Sequence, residues 1–91
     1  MSALLEFGAV VATPGALEAL AVARVEPREL LARHRGGDWG EIPPEDAREN
    51  ARSLEHGWRV LSSYPLQTGV KIWILTEADR SATTLLLPEE Y

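Results

Sequence analysis

The sequence predicts an α+β fold in which N-terminal helices pack on a C-terminal antiparallel sheet of three or four strands. Helix-start and helix-stop signals recur up to Gly57, and three β-prone runs bounded by turn residues follow it. The connections between these runs have hairpin lengths, which favours an antiparallel meander. A chain of 91 residues is expected to form one domain, residues 1–91.

Two helices are predicted in the first part of the chain. Thr13 is a suitable N-cap, and Pro14 would occupy the first helical position of a helix over residues 14–24. The second helix would begin at Pro27 and end at Gly36-Gly37, where either glycine can adopt the left-handed conformation.

Residues 44–56 carry the clearest helix signals. Acidic residues lie in the first turn, and a glycine directly follows the last residue of the predicted helix. We expect Gly57 to have a positive φ, so that Gly57→Ala would cost on the order of 1 kcal/mol. The expected inward-facing residues are Ala47, Asn50, Ala51 and Leu54.

Three strands are predicted to pair antiparallel in sequence order, at residues 58–64, 70–77 and 82–87. The run from Phe7 to Ala12 is a candidate fourth strand. In the middle strand, alternation places Lys71, Trp73 and Leu75 on one face and Ile72, Ile74 and Thr76 on the other.

Trp73 would be half exposed if the helices cover one face of the sheet only. A large aromatic side chain on an open face suggests a partner, often a second copy of the same protein. The N-terminal segment is an equally good candidate to cover it.

Composition and charge limit the function classes. The chain has no cysteine, which excludes disulfides, thiolate nucleophiles and cysteine-based zinc sites. A net charge of −5 and a pI near 4.9 count against a general nucleic-acid-binding surface. No apolar run approaches the roughly 18 residues of a membrane span. The N-terminus also lacks the basic segment of a signal peptide, so we expect a cytoplasmic location.

The stretch LLARHRGGDWGE, residues 30–41, is a candidate site loop. In one interpretation His34 is a general acid or base, and Asp38 orients its imidazole. In the other, His34 and its flanking arginines stabilise a helix C-terminus while Trp39 anchors the loop, which explains every residue and is favoured. A metal site from His34, His56 and Asp38 lacks a short ligand spacing, and we expect no metal or cofactor.

A second polar cluster is predicted at the hairpin tip from Thr76 to Thr84. Lys71, Arg80 and the neighbouring hydroxyl groups would suit an anion, although Asp-Arg-Ser is also ordinary turn chemistry. The candidate binding residues are Trp73, Arg80 and Trp39.

Four blocks together resemble a family of small uncharacterised bacterial proteins. They are GAVVATPGALEAL, LLARHRGGDWGEI, GWRVLSSY and KIWILTEADRSATTLLLPEEY, and they cover nearly the whole chain in order. Members of this family are often labelled plasmid-related, and some are labelled as type I restriction subunits. The resemblance implies a cytosolic bacterial protein associated with mobile DNA and implies no activity.

The order of helix, His-x-x-Gly-Asp loop, helix and sheet also resembles ribonuclease toxins of the barnase and colicin type. That resemblance implies His34 as acid or base, Lys71 or Arg80 as the phosphate-holding residue, and Thr76 or Thr84 as a positioning residue. The acidic pI departs from such nucleases. We therefore expect a non-enzymatic binding or accessory protein, a homodimer, with a small ribonuclease as the alternative.

Overall fold

Four strands and three α-helices make up residues 5–91, the part of the chain that the computed structural model describes. In chain order they are β1 (Ala9–Ala12), α1 (Pro14–Ala23), α2 (Pro27–Arg35), α3 (Pro44–His56), β2 (Val60–Pro65), β3 (Lys71–Thr76) and β4 (Ala82–Leu86), followed by a 3-10 turn at Pro88–Glu90. The α+β class is confirmed, and the strands form one mixed sheet in the order β1-β4-β3-β2.

The sheet is antiparallel only in part. Strands β2, β3 and β4 form the predicted meander. The candidate fourth strand exists as β1, but it pairs parallel with β4, from Ala9 opposite Ala82 to Ala12 opposite Leu85. The prediction of a wholly antiparallel sheet was therefore wrong, and the helices lie N-terminal to β2, β3 and β4 but not to β1. Turn length constrains strand direction only between consecutive strands, and all three helices lie between β1 and β4.

The helix ends follow the predicted signals closely. Helix α1 ends one residue early, because Arg24 adopts the left-handed conformation with φ 58°. Helix α2 stops at Arg35, and Gly37, at φ 89°, is the glycine of the pair that takes a positive φ. Helix α3 matches its predicted bounds, and Gly57 has the predicted positive φ of 73°.

Helices α1 and α2 cover what we term the inner face of the sheet. Ile72, Ile74 and Thr76 of β3 are fully buried on this face, which confirms the predicted alternation. The main core joins them to apolar residues of both helices, of the neighbouring strands and of the β2–β3 connection, namely Ala16, Leu20, Ala23, Leu30, Tyr64, Leu66 and Leu85. The opposite side, which carries Trp73, is the outer face.

Helix α3 lies at the edge of the sheet, beside β2. Its buried polar residues are Asn50 and Ser53, while Ala51 and Leu54 are exposed, so the predicted inward stripe was wrong in part. The Asn50 amide donates to the Leu61 carbonyl at 2.7 Å and accepts from the Leu61 N–H at 3.2 Å. Because Asn50 pairs with the backbone at the edge of β2, α3 directs a polar side chain towards the sheet where an apolar stripe was expected.

The next outward-facing position of β2 is also occupied. The Ser63 N–H donates to the Trp39 carbonyl at 3.0 Å, and the Ser63 carbonyl accepts from the Glu41 N–H at 2.7 Å. Pro65, two residues further, has no N–H to pair. The free edge of β2 is therefore closed by side chain, loop and proline, which are established ways of blocking edge pairing.

None of the helices within residues 5–91 has the length and apolar character needed to cross a membrane.

Candidate functional site

His34 lies inside the protein and not on a surface loop. It belongs to the last turn of α2, and its side chain is 0% exposed between α2 and the inner face of the sheet. Trp39 packs edge-on against the imidazole at a centroid distance of 5.9 Å. The ring atom Nδ1 lies 2.5 Å from Ser62 Oγ, and Nε2 lies 2.9 Å from Thr76 Oγ1.

These contacts belong to a chain of hydrogen bonds whose direction can be derived. The Thr83 hydroxyl donates to the Phe7 carbonyl at 2.9 Å, so it must accept from Thr76, whose Oγ1 lies 2.8 Å away. The only proton of Thr76 is then used, and His34 Nε2–H has to donate to it. The Nδ1 atom is left as an acceptor for the Ser62 hydroxyl, which identifies the neutral tautomer with its proton on Nε2.

Burial favours this neutral form. Removal from water lowers the pKa of His34 to about 4, because the imidazolium would lose its hydration. The interpretation of His34 as a cation at the helix end was therefore wrong. The end of α2 keeps its cationic partners in Arg33 and Arg35, which are exposed.

The His34 network is arranged like a nucleophile and a base, with Ser62 Oγ hydrogen-bonded to an imidazole nitrogen that can accept its proton. Both side chains are fully buried, however, and no substrate can reach them in this conformation. Among residues 5–91, every buried side-chain donor and acceptor has a partner. The arrangement is that of a satisfied core network, which fixes α2 on the sheet.

Sequence reasoning missed Ser62 and Thr83 as members of this network. The signal that could have found them is the two-residue alternation of the strands, which places Ser62, Thr76 and Thr83 on the same face as Ile72 and Ile74. Polar residues at inward positions need an inward polar partner, and His34 supplies it.

The predicted anion cluster at the hairpin tip is not assembled. Thr76 and Thr83 belong to the buried network, whereas Thr84 lies on the outer face. Lys71 stands at the opposite end of β3 from the turn that carries Arg80, roughly 16 Å along the strand at its usual rise per residue.

Arg80 clamps the β3–β4 turn to the end of α3. Its guanidinium donates to the Trp58 carbonyl at 2.6 Å and to the Ser53 carbonyl at 2.9 Å, and it also reaches the Glu77 carbonyl at 3.1 Å. Arg80 itself adopts a positive φ of 62°. These donors are committed to backbone carbonyls, so Arg80 holds Trp58 in place.

Asp38 does not orient His34. Its carboxylate accepts from Arg33 at 2.7 Å and from the Gly40 N–H at 3.2 Å, and the hydrogen bond from Arg33 lowers the pKa of Asp38. The Tyr64 hydroxyl donates to the Asp38 carbonyl at 2.6 Å. Residues 36–41 are therefore a tightly held connection, in which Trp39 packs against buried Leu5, Phe7 and Val60.

Trp73 is partly exposed on the outer face of β3, opposite Ser63 of β2 and Leu86 of β4. Its ring meets Tyr91 edge-on at a centroid distance of 5.6 Å. Within residues 5–91, the aromatic ring that packs on Trp73 thus belongs to the C-terminal segment and not to the N-terminal one. The indole also lines a depression that reaches Asp46 of α3.

A continuous groove runs along the outer face between α3 and the C-terminal 3-10 turn; we call it the tryptophan groove. Two adjoining depressions form it and share Ile42, Asp46 and Leu61. The first, of about 380 Å³, extends to Trp58, and the second, of about 350 Å³, extends to Trp73 and Pro88. Trp58 is 46% exposed and stacks on His56.

The lining of the groove combines apolar side chains with buried polar ones and a charged rim. Asp46 and Glu49 of α3 line one wall, with Glu41 at the α3 approach, whereas Arg59 and Lys71 stand on the sheet side. The Arg59 guanidinium lies 5.6 Å from the centre of the Tyr91 ring. Acidic side chains outnumber basic ones, in line with the net charge of −5.

No cluster of three or more His, Asp or Glu side chains within residues 5–91 is placed to hold a metal ion. Comparisons with protein-family models, curated proteins and solved structures found no match to this chain.

Proposed function

We propose that the protein is a non-enzymatic binding protein that holds a segment of a protein partner in the tryptophan groove. The observation that carries this proposal is the pair of accessible indoles, Trp58 and Trp73, at the two ends of one groove. Tryptophan is enriched among the residues that contribute most to protein–protein binding, because it combines a large apolar area with few rotatable bonds.

The shape and charge of the groove define the partner. An open groove beside a sheet suits an extended segment better than a compact small molecule, which needs a more enclosed cavity. The indoles and the aliphatic part of the lining accept large apolar side chains, and the carboxylates of Asp46 and Glu49 on one wall favour lysine or arginine. The partner is therefore a protein segment that combines apolar and basic residues.

The alternative of a ribonuclease is not favoured by the placement of its candidate residues. His34 is sealed inside the core, Thr76 belongs to the same network, and Arg80 is committed to backbone carbonyls. Residues that cleave RNA must converge on an accessible phosphodiester. Cytoplasmic location stays a prediction from the sequence, and association with mobile DNA stays a prediction from the resemblance.

A random peptide library displayed on phage tests the proposal. Selection on the wild-type protein should enrich peptides that combine aromatic or aliphatic residues with lysine or arginine. The Trp73→Ala variant should bind the selected peptides at least roughly tenfold more weakly, as expected for truncation of a central interface residue. The measurement is isothermal titration calorimetry with synthetic versions of the enriched peptides.

Val22→Ala is the matched control, because it also truncates an exposed apolar side chain, on α1 and outside the groove. It should leave the affinity unchanged. The proposal is wrong if no peptide is enriched, if the enriched peptides are acidic, or if Trp73→Ala binds them as tightly as the wild type.

A further inference from the structure

The two edges of the sheet differ in whether their outward-facing backbone groups are paired or blocked. At the β2 edge, the outward-facing groups of Leu61 and Ser63 are paired, and Pro65 has no N–H. The β1 edge shows none of these devices in the part of the chain that the structure describes. Strand β1 reads Ala-Val-Val-Ala, with no charge and no proline, and it pairs with β4 along its whole length.

The outward-facing groups of β1 follow from its hydrogen bonds. Ala9 N–H donates to the Ser81 carbonyl and Thr13 N–H to the Leu85 carbonyl, each at 3.0 Å. In a strand, successive residues direct their backbone groups to opposite sides. Val11 therefore also faces β4, whereas the N–H and carbonyl groups of Val10 and Ala12 point away from it.

The side chains at this edge are apolar and accessible. Val10 is 48% exposed and Val11 is 50% exposed. From Gly8 to Ala23 the chain carries a single charged residue, Glu18, although the protein as a whole has a net charge of −5. The net negative charge opposes the approach of a second copy, and this segment contributes a single charge to that repulsion.

We propose that two copies of the chain associate through their β1 edges, which pair antiparallel about a two-fold axis. The axis would pass beside Val11, so that Val10 of one copy stands opposite Ala12 of the other. Each such pair exchanges both backbone hydrogen bonds, and the symmetry repeats the exchange. The two four-stranded sheets become one continuous sheet.

The pairing also accounts for the exposed valines. At the axis, Val11 meets Val11 of the other copy as a non-hydrogen-bonded pair, in which facing side chains are closest. This interface does not involve the tryptophan groove, so it stands or falls independently of the proposed function. In this dimer the two copies meet at β1 and not at Trp73, where the sequence led us to expect the contact.

Sedimentation velocity over a concentration series tests the association, and amide hydrogen exchange of the full chain locates it. The wild type should show a concentration-dependent dimer. The Val10 and Ala12 amides should gain protection as the dimer forms, whereas the Val11 amide should be protected throughout. Val11→Lys should weaken the dimer at least roughly tenfold, because two ammonium groups would meet at the axis.

Leu54→Lys is the matched control: it makes the same change of charge at a side chain that is 43% exposed on α3, at the opposite edge of the sheet. It should leave the dimer unchanged. A strict monomer at high concentration overturns the proposal, and so does a dimer that survives Val11→Lys or dissociates equally with Leu54→Lys. If the protection of the Val10 amide does not depend on concentration, the monomer covers its own edge, and the proposal is overturned as well.

Discussion

His34 shows how a residue that looks reactive in sequence becomes structural in the fold. The sequence places it correctly in the last turn of α2, beside a glycine pair. It does not indicate which way the side chain points, because exposed and buried positions both occur in a helix's last turn. The inward polar positions of three strands decide the matter. Alternation within each strand indicates these positions, but only the register shows that they meet, because it pairs Thr76 with Thr83.

The neutral state of His34 makes stability depend on pH in a defined window. Its pKa is about 4 in the folded protein and near 6.5 in the unfolded chain. Between these values the unfolded chain binds more protons, so the free energy of unfolding should fall as pH decreases from 6.5 towards 4. The loss is on the order of 3 kcal/mol over the window, with no further gain from His34 above it.

Urea denaturation at several pH values measures this slope. His34→Gln should be less stable at pH 7 and should lose most of the pH dependence between 6.5 and 4, because no titrating group then occupies the network. His56→Gln, a change at an exposed histidine, should keep the slope. An unchanged slope in His34→Gln would show that another group carries it. Asp38, whose pKa is lowered, loses its contribution only at more acidic pH.

At the scale of elements, local signals predicted more than long-range ones. Thr13, the prolines at the helix starts and Gly57 define the helix bounds through backbone chemistry that acts over a few residues. The pairing of β1 with β4 and the position of α3 depend on contacts between distant parts of the chain. Helix α3 illustrates this. Its bounds were predicted from the sequence, but helical periodicity does not specify that Asn50 pairs with the edge of β2.

The Asn50 amide is expected to be the main contact that holds α3 to β2. Asn50→Asp keeps the size of the side chain but replaces the donor with a carboxylate oxygen facing the Leu61 carbonyl. We expect a loss of about 2–4 kcal/mol in the free energy of unfolding, since a hydrogen bond becomes a repulsion in a partly buried place. Chemical denaturation measures it.

Ala51→Asp provides the comparison, because it adds a carboxylate to the neighbouring exposed position of the same helix. Its cost should stay near the helix-propensity difference of about 0.7 kcal/mol or less. Equal losses in the two variants would mean that Asn50 acts only through helix propensity or charge.

At the scale of the whole molecule, the two faces of the sheet have separate roles. The inner face buries the polar network and the core under α1 and α2, whereas the outer face presents Trp58 and Trp73 beside α3. The sequence predicted this division for β3, because strict alternation separates Trp73 from Ile72 and Ile74. It did not predict the tryptophan groove, since Ile42 and Asp46 reach it only through the placement of α3.

An NMR titration with the tightest peptide of the phage selection tests this division most directly. The indole N–H signals of Trp39, Trp58 and Trp73 and the ring signals of His34 would be followed in the same samples. The account predicts that the peptide shifts Trp58 and Trp73 and leaves Trp39 and His34 unchanged, with His34 remaining neutral and protonated on Nε2. Shifts of His34 without shifts of Trp58 and Trp73 would contradict it, because the ligand would then act at the inner face.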